Sequence, residues 1–376
     1  ILMIPYSHQS IDEEDIKAVE DVLKSDWLTQ GPKILEFENA LASYCDAKYA
    51  VVFSNGTAAL HAAYFASGLK RDDEFITSPL TFAATANAGL YLGAKPVFAD
   101  VDENGNLDPK EVEKKIGKNT KMIAVVDYTG RPAKLDEFKK IARKNNLVLI
   151  EDACHALGAE YGGKKIGSVS DMTVFSFHPV KSITTGEGGA VLTNNEDYLK
   201  KLKLFRTHGI TKENLKFKKK NDGDWYYEMQ ELGFNYRMTD IQATLGISQL
   251  KKLNDFIRKR KKIAGKYKAA LKSLSDYLIL PVEDKIHFSA WHLYTIRLKN
   301  KKRRLEVFEK LKKAGIGVQV HYIPVYYHPY YQKLGYKKGL CPKAEQFYES
   351  VISLPIFPLL KKQEQSFVID SLKDIL

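Results

Sequence analysis

Short apolar segments alternate with helical patterns through the first half of the chain, and this alternation restricts the possible folds more than any other feature. Seven segments have the length and composition of strands: 49–54, 74–79, 95–101, 121–128, 147–152, 172–177 and 188–193. Several are almost continuously apolar, which is typical of a sheet buried on both faces. Strands that alternate with helices predict a mostly parallel α/β sheet. The last two segments are only ten residues apart, so we expect that pair to be antiparallel.

Helical patterns lie between the strands and dominate the region that follows them. The segments 57–68 and 135–146 have helical patterns, and residues 196–268 are helical apart from a polar, lysine-rich loop at 211–225. Within this region, residues 239–270 have the period of one long amphipathic helix. Thr239 stands at its start and is a good N-cap residue.

The last third of the chain has the pattern of a smaller domain. Strand patterns at 292–299 and 316–322 flank a helical pattern at 302–314, which indicates an α+β unit. With 376 residues, 44% of them hydrophobic, the chain can build two cores. We therefore predict a large domain at residues 1–248, whose N-terminal segment contributes to the site, and a small C-terminal domain at residues 249–376.

The charge balance is basic, with 58 Lys and Arg against 46 Asp and Glu and a net charge of +12. Such a balance is compatible with nucleic acid, an anionic membrane, an anionic small substrate, or simply a solvated lysine-rich surface. The basic runs at 216–220, 259–262 and 299–304 are far apart and lack interleaved aromatic residues. We therefore expect no nucleic-acid partner and regard most of these lysines as solvated.

The three cysteines, Cys45, Cys154 and Cys341, are odd in number, far apart and without CxxC spacing. This argues against a disulfide framework or a zinc site, so we expect no metal and a reducing, cytoplasmic location. An apolar run of 18 residues is absent from the sequence, and the segment ILMIPYS at the N-terminus is too short for a signal peptide. We therefore expect no membrane association.

One lysine occupies an unusual sequence context. Lys181 lies in FSFHPVKSITTGEGG (175–189), between an aromatic strand end and a glycine-rich turn, with Phe175, Phe177, Pro179 and Ile183 nearby in sequence. A partly desolvated amine has a lowered pKa and can form a Schiff base with a carbonyl compound. Lys181 is therefore the first candidate for covalent chemistry.

Other chemically capable residues stand where strands end, and ligands of open α/β sheets bind beyond the carboxyl ends of the strands. Ser54 or Asn55 can cap the helix after the first strand, and Gly56 lets a ligand approach the free N–H groups there, which suits a phosphate. Phe82 follows a proline turn and can stack on a flat ring. Each feature alone is more often structural: many strand–helix turns look alike, and such a phenylalanine is more often core.

Two further strand ends complete the set. Asp152 ends the fifth strand and His155 follows it by three residues, while Ser176 ends the sixth strand and leads to Lys181. A single aspartate of this kind is more often a helix cap. Together, however, the strand ends supply a phosphate cup, a stacking ring, a carboxylate, a hydroxyl and an amine. Pyridoxal 5′-phosphate needs this combination for its phosphate, ring, pyridine nitrogen and aldehyde.

A resemblance to a known family rests on seven motifs that occur in a fixed order along nearly the whole chain: SNGTAAL (54–60), TFAATANA (81–88), EDACHALGA (151–159), FSFHPVKSITTGEGGAV (175–191), RTHGI (206–210), GFNYRMTDIQATLGISQL (233–250) and VQVHYIP (318–324). In this order they resemble the sugar aminotransferases of the DegT/DnrJ/EryC1/StrS family. The resemblance implies the type I fold of pyridoxal 5′-phosphate enzymes, with a seven-stranded sheet in the large domain. It also implies a homodimer in which each site is shared by two subunits.

The resemblance assigns roles motif by motif. Lys181 resembles the residue that binds the cofactor aldehyde, Asp152 the partner of the pyridine nitrogen, and His155 the side chain near the ring hydroxyl. Further cofactor contacts are implied for Gly56, Thr57, Phe82, Ser176 and Asn235, of which Asn235 reaches the phosphate from the other subunit. Sugar-nucleotide contacts are implied for Tyr6, Asp26, Trp27, Leu28, Thr29, Asn235, His321, Tyr322, Ile323 and Pro324.

The segments IPYS, LTQG, SFHPVKSITT and HYIP resemble the family's transaminases of pseudaminic acid synthesis. This implies amino transfer from L-glutamate, which leaves as 2-oxoglutarate, to C4 of a UDP-4-keto-6-deoxy-N-acetylhexosamine. Pyridoxamine 5′-phosphate is then the intermediate form of the cofactor, and the expected product is UDP-4-amino-4,6-dideoxy-N-acetyl-β-L-altrosamine. Alternatives are another 4-amino sugar of the bacillosamine or perosamine type, and a non-catalytic regulator. Dehydratases of the family carry histidine in place of the lysine, and Lys181 argues against that branch.

Overall fold

The computed structural model describes residues 3–213, 217–218 and 223–376. In this part of the chain the strands are, in order, β1 (Tyr49–Phe53), β2 (Glu74–Thr77), β3 (Lys95–Phe98), β4 (Thr120–Val126), β5 (Val148–Asp152), β6 (Glu160–Tyr161), β7 (Lys164–Lys165), β8 (Met172–Ser176), β9 (Gly189–Thr193), β10 (Ile210–Thr211), β11 (Glu228–Met229), β12 (Leu278–Ile279), β13 (His287–Phe288), β14 (Tyr294–Leu298) and β15 (Val351–Leu354).

The α-helices of the described residues are α1 (Glu13–Leu23), α2 (Pro32–Tyr44), α3 (Gly56–Ala66), α4 (Ala84–Leu90), α5 (Pro109–Glu113), α6 (Leu135–Lys144), α7 (Glu196–Arg206), α8 (Asp240–Leu271), α9 (Arg304–Lys313), α10 (Pro329–Lys333), α11 (Pro342–Ser350) and α12 (Lys362–Ile375). The helices predicted at 57–68, 135–146 and 239–270 correspond to α3, α6 and α8.

The seven predicted strands form one sheet in the order β1-β9-β8-β5-β4-β2-β3. The pairs among β3, β2, β4, β5 and β8 are parallel. β9 is antiparallel to both β8 and β1. The predicted mostly parallel α/β sheet is therefore confirmed, as is the antiparallel pair formed by the last two segments.

The sheet is buried on both faces, as its apolar strands predict. Val51 and Val52 are neighbours in β1, yet they belong to two separate cores, because successive side chains of a strand point to opposite faces. The core that contains Val52 includes side chains of α2, α6 and α8. The core that contains Val51 includes side chains of α3, α4 and α7. Helices therefore cover both faces and leave the strand ends for ligands.

The long helix α8 connects the two halves of the molecule. Thr239 caps it as predicted: its hydroxyl accepts from the Gln242 N–H at 3.2 Å, and the Gln242 side chain accepts from the Thr239 N–H at 2.9 Å. Side chains of α8 up to Ile257 pack in the large-domain core, and those from Ile263 onward pack in the C-terminal core. The predicted boundary at 248/249 falls within this continuous helix, and the domain division stays a prediction.

The C-terminal half differs from prediction at one segment. A three-stranded antiparallel sheet has the order β12-β14-β15, with α9 and α12 packed beside it. β14 confirms the strand predicted at 292–299. The strand predicted at 316–322 is wrong, because that segment forms only single bridges, from Ile316 to Ile4 and from Gln319 to Ser353. Its apolar pattern instead reflects burial of Ile316 and Val318 in the C-terminal core.

The predicted lysine-rich loop at 211–225 and the basic run at 216–220 lie partly outside the described residues. Among the residues that the structure describes, no helix is both long and apolar enough to cross a membrane. The described ranges also contain no group of three or more His, Cys, Asp or Glu side chains arranged to hold a metal ion.

A buried carboxyl pair, Asp127 and Glu151, lies beneath the strand ends. Both side chains are fully buried, and among the described residues neither Asp127 Oδ2 nor Glu151 Oε1 has a hydrogen-bond donor. Burial and the Glu151 carboxylate raise the pKa of Asp127 well above its usual range, and burial also raises the pKa of Glu151. One proton held between the two oxygens satisfies both of them.

We expect this proton to make the stability of the fold depend on pH. Above pH ~4, unfolded carboxyls lose their protons whereas the folded pair keeps one, so the unfolding free energy should fall as pH rises, by at most ~1.4 kcal/mol per unit. In Asp127→Asn, an amide N–H replaces the proton, and this contribution to the slope should disappear. Urea unfolding between pH 5 and 7 measures the slope. The exposed Asp276→Asn is the control, and equal slopes in both variants would contradict the shared proton.

Candidate active site

A cavity of about 850 Å³ opens at the carboxyl ends of the parallel strands. Lys181, Asp152 and His155 all line it. Eight more residues singled out from the sequence line the same cavity, namely Tyr6, Asn55, Gly56, Thr57, Phe82, Ser176, His321 and Tyr322. The structure therefore brings together residues that lie as far apart in sequence as Tyr6 and Tyr322.

The N-terminus of α3 forms one end of the cavity. The Asn55 side chain accepts from the Ala58 N–H at 2.8 Å, which caps the helix. The N–H groups of Gly56 and Thr57 precede the first intrahelical hydrogen bond and have no acceptor within the helix. Ser176 lies beside them, since a Cβ added to Gly56 would be 3.0 Å from the Ser176 Cβ. Two backbone donors and one hydroxyl thus converge where an anion can bind.

Gly189 makes this close approach possible. It pairs with Phe53 in β1 and with Ser176 in β8. It therefore lies between the two strands that lead to the anion cup, the site formed by Gly56, Thr57 and Ser176. A Cβ at this position would lie 2.7 Å from the Asn55 carbonyl oxygen, closer than packed atoms tolerate. The glycine-rich segment after Lys181 is therefore needed for packing against the start of α3.

Asp152 is held by a chain of hydroxyl groups. The Thr85 hydroxyl donates to Asp152 Oδ2 at 2.6 Å, and the Cys154 N–H donates to Oδ1 at 3.2 Å. Thr81 and Thr85 share a hydrogen bond of 2.7 Å, and because Thr85 uses its single proton for Asp152, Thr81 is the donor. This chain fixes the orientation of a buried carboxylate at the end of β5.

Lys181 extends into the cavity close to Asp152 and Cys154. Burial lowers the pKa of the Lys181 ammonium, while Cys154 and Asp152 partly oppose that shift. Compared with a surface lysine, a larger fraction of Lys181 is therefore the neutral, nucleophilic amine at a given pH. The backbone N–H of Lys181 donates to the His178 carbonyl at 2.9 Å and holds the turn that presents the side chain.

His155 is a neutral imidazole held by its neighbours. Burial, Lys181 and His321 lower its pKa well below the usual range. The Tyr322 hydroxyl lies 3.1 Å from His155 Nε2, and the His292 ring centroid is 4.3 Å from that of His155. Gly130, with φ of +95°, passes so close that a Cβ there would be 2.7 Å from the His155 carbonyl oxygen. The Tyr322 and His292 contacts restrict the ring, whereas Gly130 packs against the backbone of His155.

Phe82 presents an open aromatic face to the cavity. Its side chain is 64% exposed although it lies at the edge of a buried helix, and its ring centroid is 6.4 Å from that of Tyr322. An exposed phenylalanine at the mouth of a cavity is unfavourable in water unless a ligand covers it. The observation fits a residue that stacks on a planar ring.

Several residues assigned by resemblance lie outside this cavity. Trp27 and Leu28 are exposed, and Thr29 bridges to Thr239 at the start of α8. Asn235 is exposed and bridges to Thr207. Asp26 and Ile323 are also exposed, whereas Pro324 is buried. Their roles stay predictions.

The sequence reasoning missed several residues of the cavity. Thr81 precedes α4 and Thr85 lies in its first turn, and their spacing of four residues around Phe82 was a usable signal for a polar pair here. Cys154 and Tyr236 adjoin residues that were singled out, and His178 lies three residues before Lys181. His292 lies between β13 and β14, and its local sequence carries no signal that directs it to the site.

The cavity as a whole fits pyridoxal 5′-phosphate. The anion cup of Gly56, Thr57 and Ser176 suits the phosphate, and the open face of Phe82 suits the ring. Asp152, oriented by Thr85, suits the pyridine nitrogen, and the neutral amine of Lys181 suits the aldehyde.

Comparison with known proteins agrees with this geometry. Residues 9–373 match the DegT/DnrJ/EryC1/StrS aminotransferase family. The chain is 45% identical to the UDP-4-amino-4,6-dideoxy-N-acetyl-beta-L-altrosamine transaminase of Campylobacter jejuni, over 100% of this chain and 98% of that protein. The structure of Helicobacter pylori PseC, an aminotransferase involved in pseudaminic acid biosynthesis, matches with a TM-score of 0.92 at 37% identity, covering 99% of both chains.

A sugar aminotransferase of Streptococcus pneumoniae, Spr1654, supplies the comparison for the cofactor. Its structure has been solved in a PLP-form, with a TM-score of 0.92 at 29% identity, covering 99% of this chain and 98% of that one. Its PMP-form matches with a TM-score of 0.93 at 30% identity, over 99% and 97%. The present chain therefore belongs to the DegT/DnrJ/EryC1/StrS aminotransferase family and is an enzyme that uses pyridoxal 5′-phosphate.

Proposed function

We propose that this enzyme moves the amino group of L-glutamate to C4 of a UDP-4-keto-6-deoxy-N-acetylhexosamine. The product is then UDP-4-amino-4,6-dideoxy-N-acetyl-β-L-altrosamine, a precursor of pseudaminic acid, and the co-product is 2-oxoglutarate. The 45% identity to the Campylobacter transaminase over the full length of the chain carries this proposal. The presence of Lys181 in the cavity supports transamination over dehydration.

The bound cofactor supplies an electron sink that stabilises negative charge on a carbon next to its nitrogen. Lys181 would bind it covalently through the aldehyde. When it is not bonded to the cofactor, the amine of Lys181 would be placed to accept a proton from the reacting carbon and to return it. Burial favours this role, because it lowers the pKa of Lys181 and so favours the neutral amine that accepts the proton.

Asp152 would keep the pyridine nitrogen protonated, and the Thr81–Thr85 chain holds its carboxylate in place for that contact. His155 would lie near the ring hydroxyl, held in position by Tyr322 and His292. Tyr322 and His321 line the same cavity and are available to contact the sugar. The direction from which the amine reaches C4 then depends on how these side chains orient the hexose.

A homodimer with shared sites is part of the proposal. Trp27, Leu28, Trp225 and Leu232 are large apolar side chains with 55%, 47%, 75% and 76% exposure. Such exposure is unfavourable in a monomer and is typical of a surface that another subunit covers. Asn235 lies in the same part of the chain as Trp225 and Leu232, and it would reach the cofactor phosphate of the other subunit. We also propose a cytoplasmic location, in line with three free cysteines.

Two alternatives remain testable. The first is a different 4-amino sugar of the bacillosamine or perosamine type. The second is a non-catalytic regulator that keeps the fold. The complete set of Lys181, Asp152, His155 and Ser176 in one cavity favours an active enzyme.

A half-reaction followed by visible absorbance tests the proposal. The purified holoenzyme is first converted to its pyridoxamine form with L-glutamate. We expect the absorbance of the pyridoxal form to return quickly with the L-arabino ketone made by an inverting UDP-GlcNAc 4,6-dehydratase. Recovery only with the D-xylo ketone from a retaining dehydratase would move the enzyme to a different pathway. A holoenzyme that never responds to L-glutamate would instead exclude L-glutamate as the amino donor.

A further inference from the structure

His321 lines the active-site cavity from a segment that is docked on the C-terminal sheet. The backbone N–H of Ser353, in β15, donates to the Gln319 carbonyl at 2.8 Å, and the Gln319 N–H donates to the Ser353 carbonyl at 3.3 Å. The Tyr128 hydroxyl donates to the His321 carbonyl. Three hydrogen bonds to the backbone therefore hold the segment that carries this histidine.

The imidazole of His321 is held by Ser353 as well. Its Nδ1 lies 2.7 Å from the Ser353 hydroxyl, and Ser353 is fully buried. Burial and the charge of Lys181 lower the pKa of His321 to about 4, so the ring is neutral near pH 7. A neutral imidazole carries one proton, on either Nδ1 or Nε2.

The buried hydroxyl of Ser353 decides which nitrogen carries that proton. Among the described residues, His321 Nδ1 is the one hydrogen-bond partner of Ser353 Oγ. If the Nδ1–H group donated to Oγ, the hydroxyl proton would have no acceptor, and a buried donor without an acceptor is costly. If Oγ–H donates to Nδ1 instead, both groups are satisfied. The proton of the imidazole then resides on Nε2.

We propose that Ser353 is a positioning residue, which holds His321 in the orientation and tautomer whose Nε2–H donates into the cavity. Because Nδ1 faces the buried serine and the side chain lines the cavity, Nε2 is the nitrogen available to a ligand. Its acceptor is an oxygen of the ketosugar, and this part of the inference rests on the proposed function. A carbonyl oxygen only accepts hydrogen bonds, so an N–H group suits it and a nitrogen lone pair does not.

Nuclear magnetic resonance of holoenzyme labelled with ¹⁵N-histidine identifies the tautomer. A long-range ¹H–¹⁵N correlation spectrum distinguishes the protonated from the unprotonated ring nitrogen, and the loss of signals in His321→Gln assigns them. We expect the proton on Nε2 in the wild type. In Ser353→Ala the Nδ1 signal should move, because its hydrogen bond is lost. A wild-type His321 protonated on Nδ1 would overturn the proposal.

Ser350→Ala is the matched control for these spectra and for the kinetics. Ser350 is also buried, and its hydroxyl donates to the Gln346 and Phe347 carbonyls of α11. Removing this hydroxyl should change neither the His321 signals nor the rates.

Kinetics show whether Ser353 acts through His321. We expect Ser353→Ala to lower kcat/KM for the ketosugar about tenfold, the effect of one lost hydrogen bond, while the L-glutamate half-reaction changes far less. His321→Gln keeps an N–H donor near the position of Nε2 but has no counterpart of Nδ1. Adding Ser353→Ala to His321→Gln should therefore cost little more. An equal loss in both backgrounds, or no loss in either, would overturn the positioning role.

The spectrum is recorded without substrate, which separates this proposal from the proposed function. A wild type with the proton on Nε2 that does not convert the ketosugar contradicts the proposed function and supports the role of Ser353 toward His321. A wild type that converts the ketosugar with the proton on Nδ1 overturns this proposal and leaves the function intact.

Discussion

Replacing Lys181 with alanine should abolish steady-state transamination, with a loss of at least about a thousandfold in turnover. The variant loses the amine that binds the cofactor aldehyde and the base that moves the proton, and a positioned acid–base group alone contributes about 10²–10⁴-fold. The anion cup at Gly56 and Thr57 is untouched, so we expect the cofactor to remain bound non-covalently. Turnover with L-glutamate and the ketosugar, together with the cofactor content after gel filtration, measures both effects.

The matched control is Lys118→Ala, which removes an exposed lysine from the loop before β4. It should retain the wild-type rate and cofactor content. Wild-type turnover in Lys181→Ala would exclude this lysine from the reaction. Loss of the cofactor together with the rate would show that the anion cup and the ring contacts alone do not retain it.

Replacing Asp152 with asparagine should reduce turnover by about 10²–10³-fold, comparable to removing one preorganised electrostatic group from an active site. Asparagine can still accept a hydrogen bond from Thr85, so the local packing is preserved. It carries no charge, however, and so stabilises the protonated pyridine nitrogen far less. The effect should therefore appear in the rate of the L-glutamate half-reaction, with little change in the folded structure.

A second variant tests whether the hydroxyl chain positions Asp152. Thr85→Val removes the donor to Asp152 Oδ2 and leaves the charge, so we expect a smaller loss, about tenfold. A loss equal to that of Asp152→Asn would mean that Thr85 acts on the substrate or cofactor directly. Wild-type rates in Asp152→Asn would remove the carboxylate from the mechanism.

The sequence alone determined the features that depend on local chemistry. Seven apolar segments became the seven strands of the central sheet, because their length and hydrophobicity leave few other ways to bury them. Thr239 became a helix cap because the contact it makes is three residues away. Lys181 and Asp152 could be identified because strand ends of an α/β sheet converge at one edge, and their motifs mark those ends.

Features that depend on contacts between segments distant in sequence could be determined only from the tertiary structure. The segment at 316–322 has a strand-like pattern, yet among the described residues its backbone forms only single bridges, to Ile4 and to Ser353. His292 reaches His155 from the segment between β13 and β14, and Tyr91 lies between the active-site cavity and a second, smaller cavity, through contacts that no local pattern encodes. The catalytic groups are recognisable in the sequence because each stands in a short motif at a strand end. Their orientation and the second cavity, in contrast, arise only when remote segments pack together.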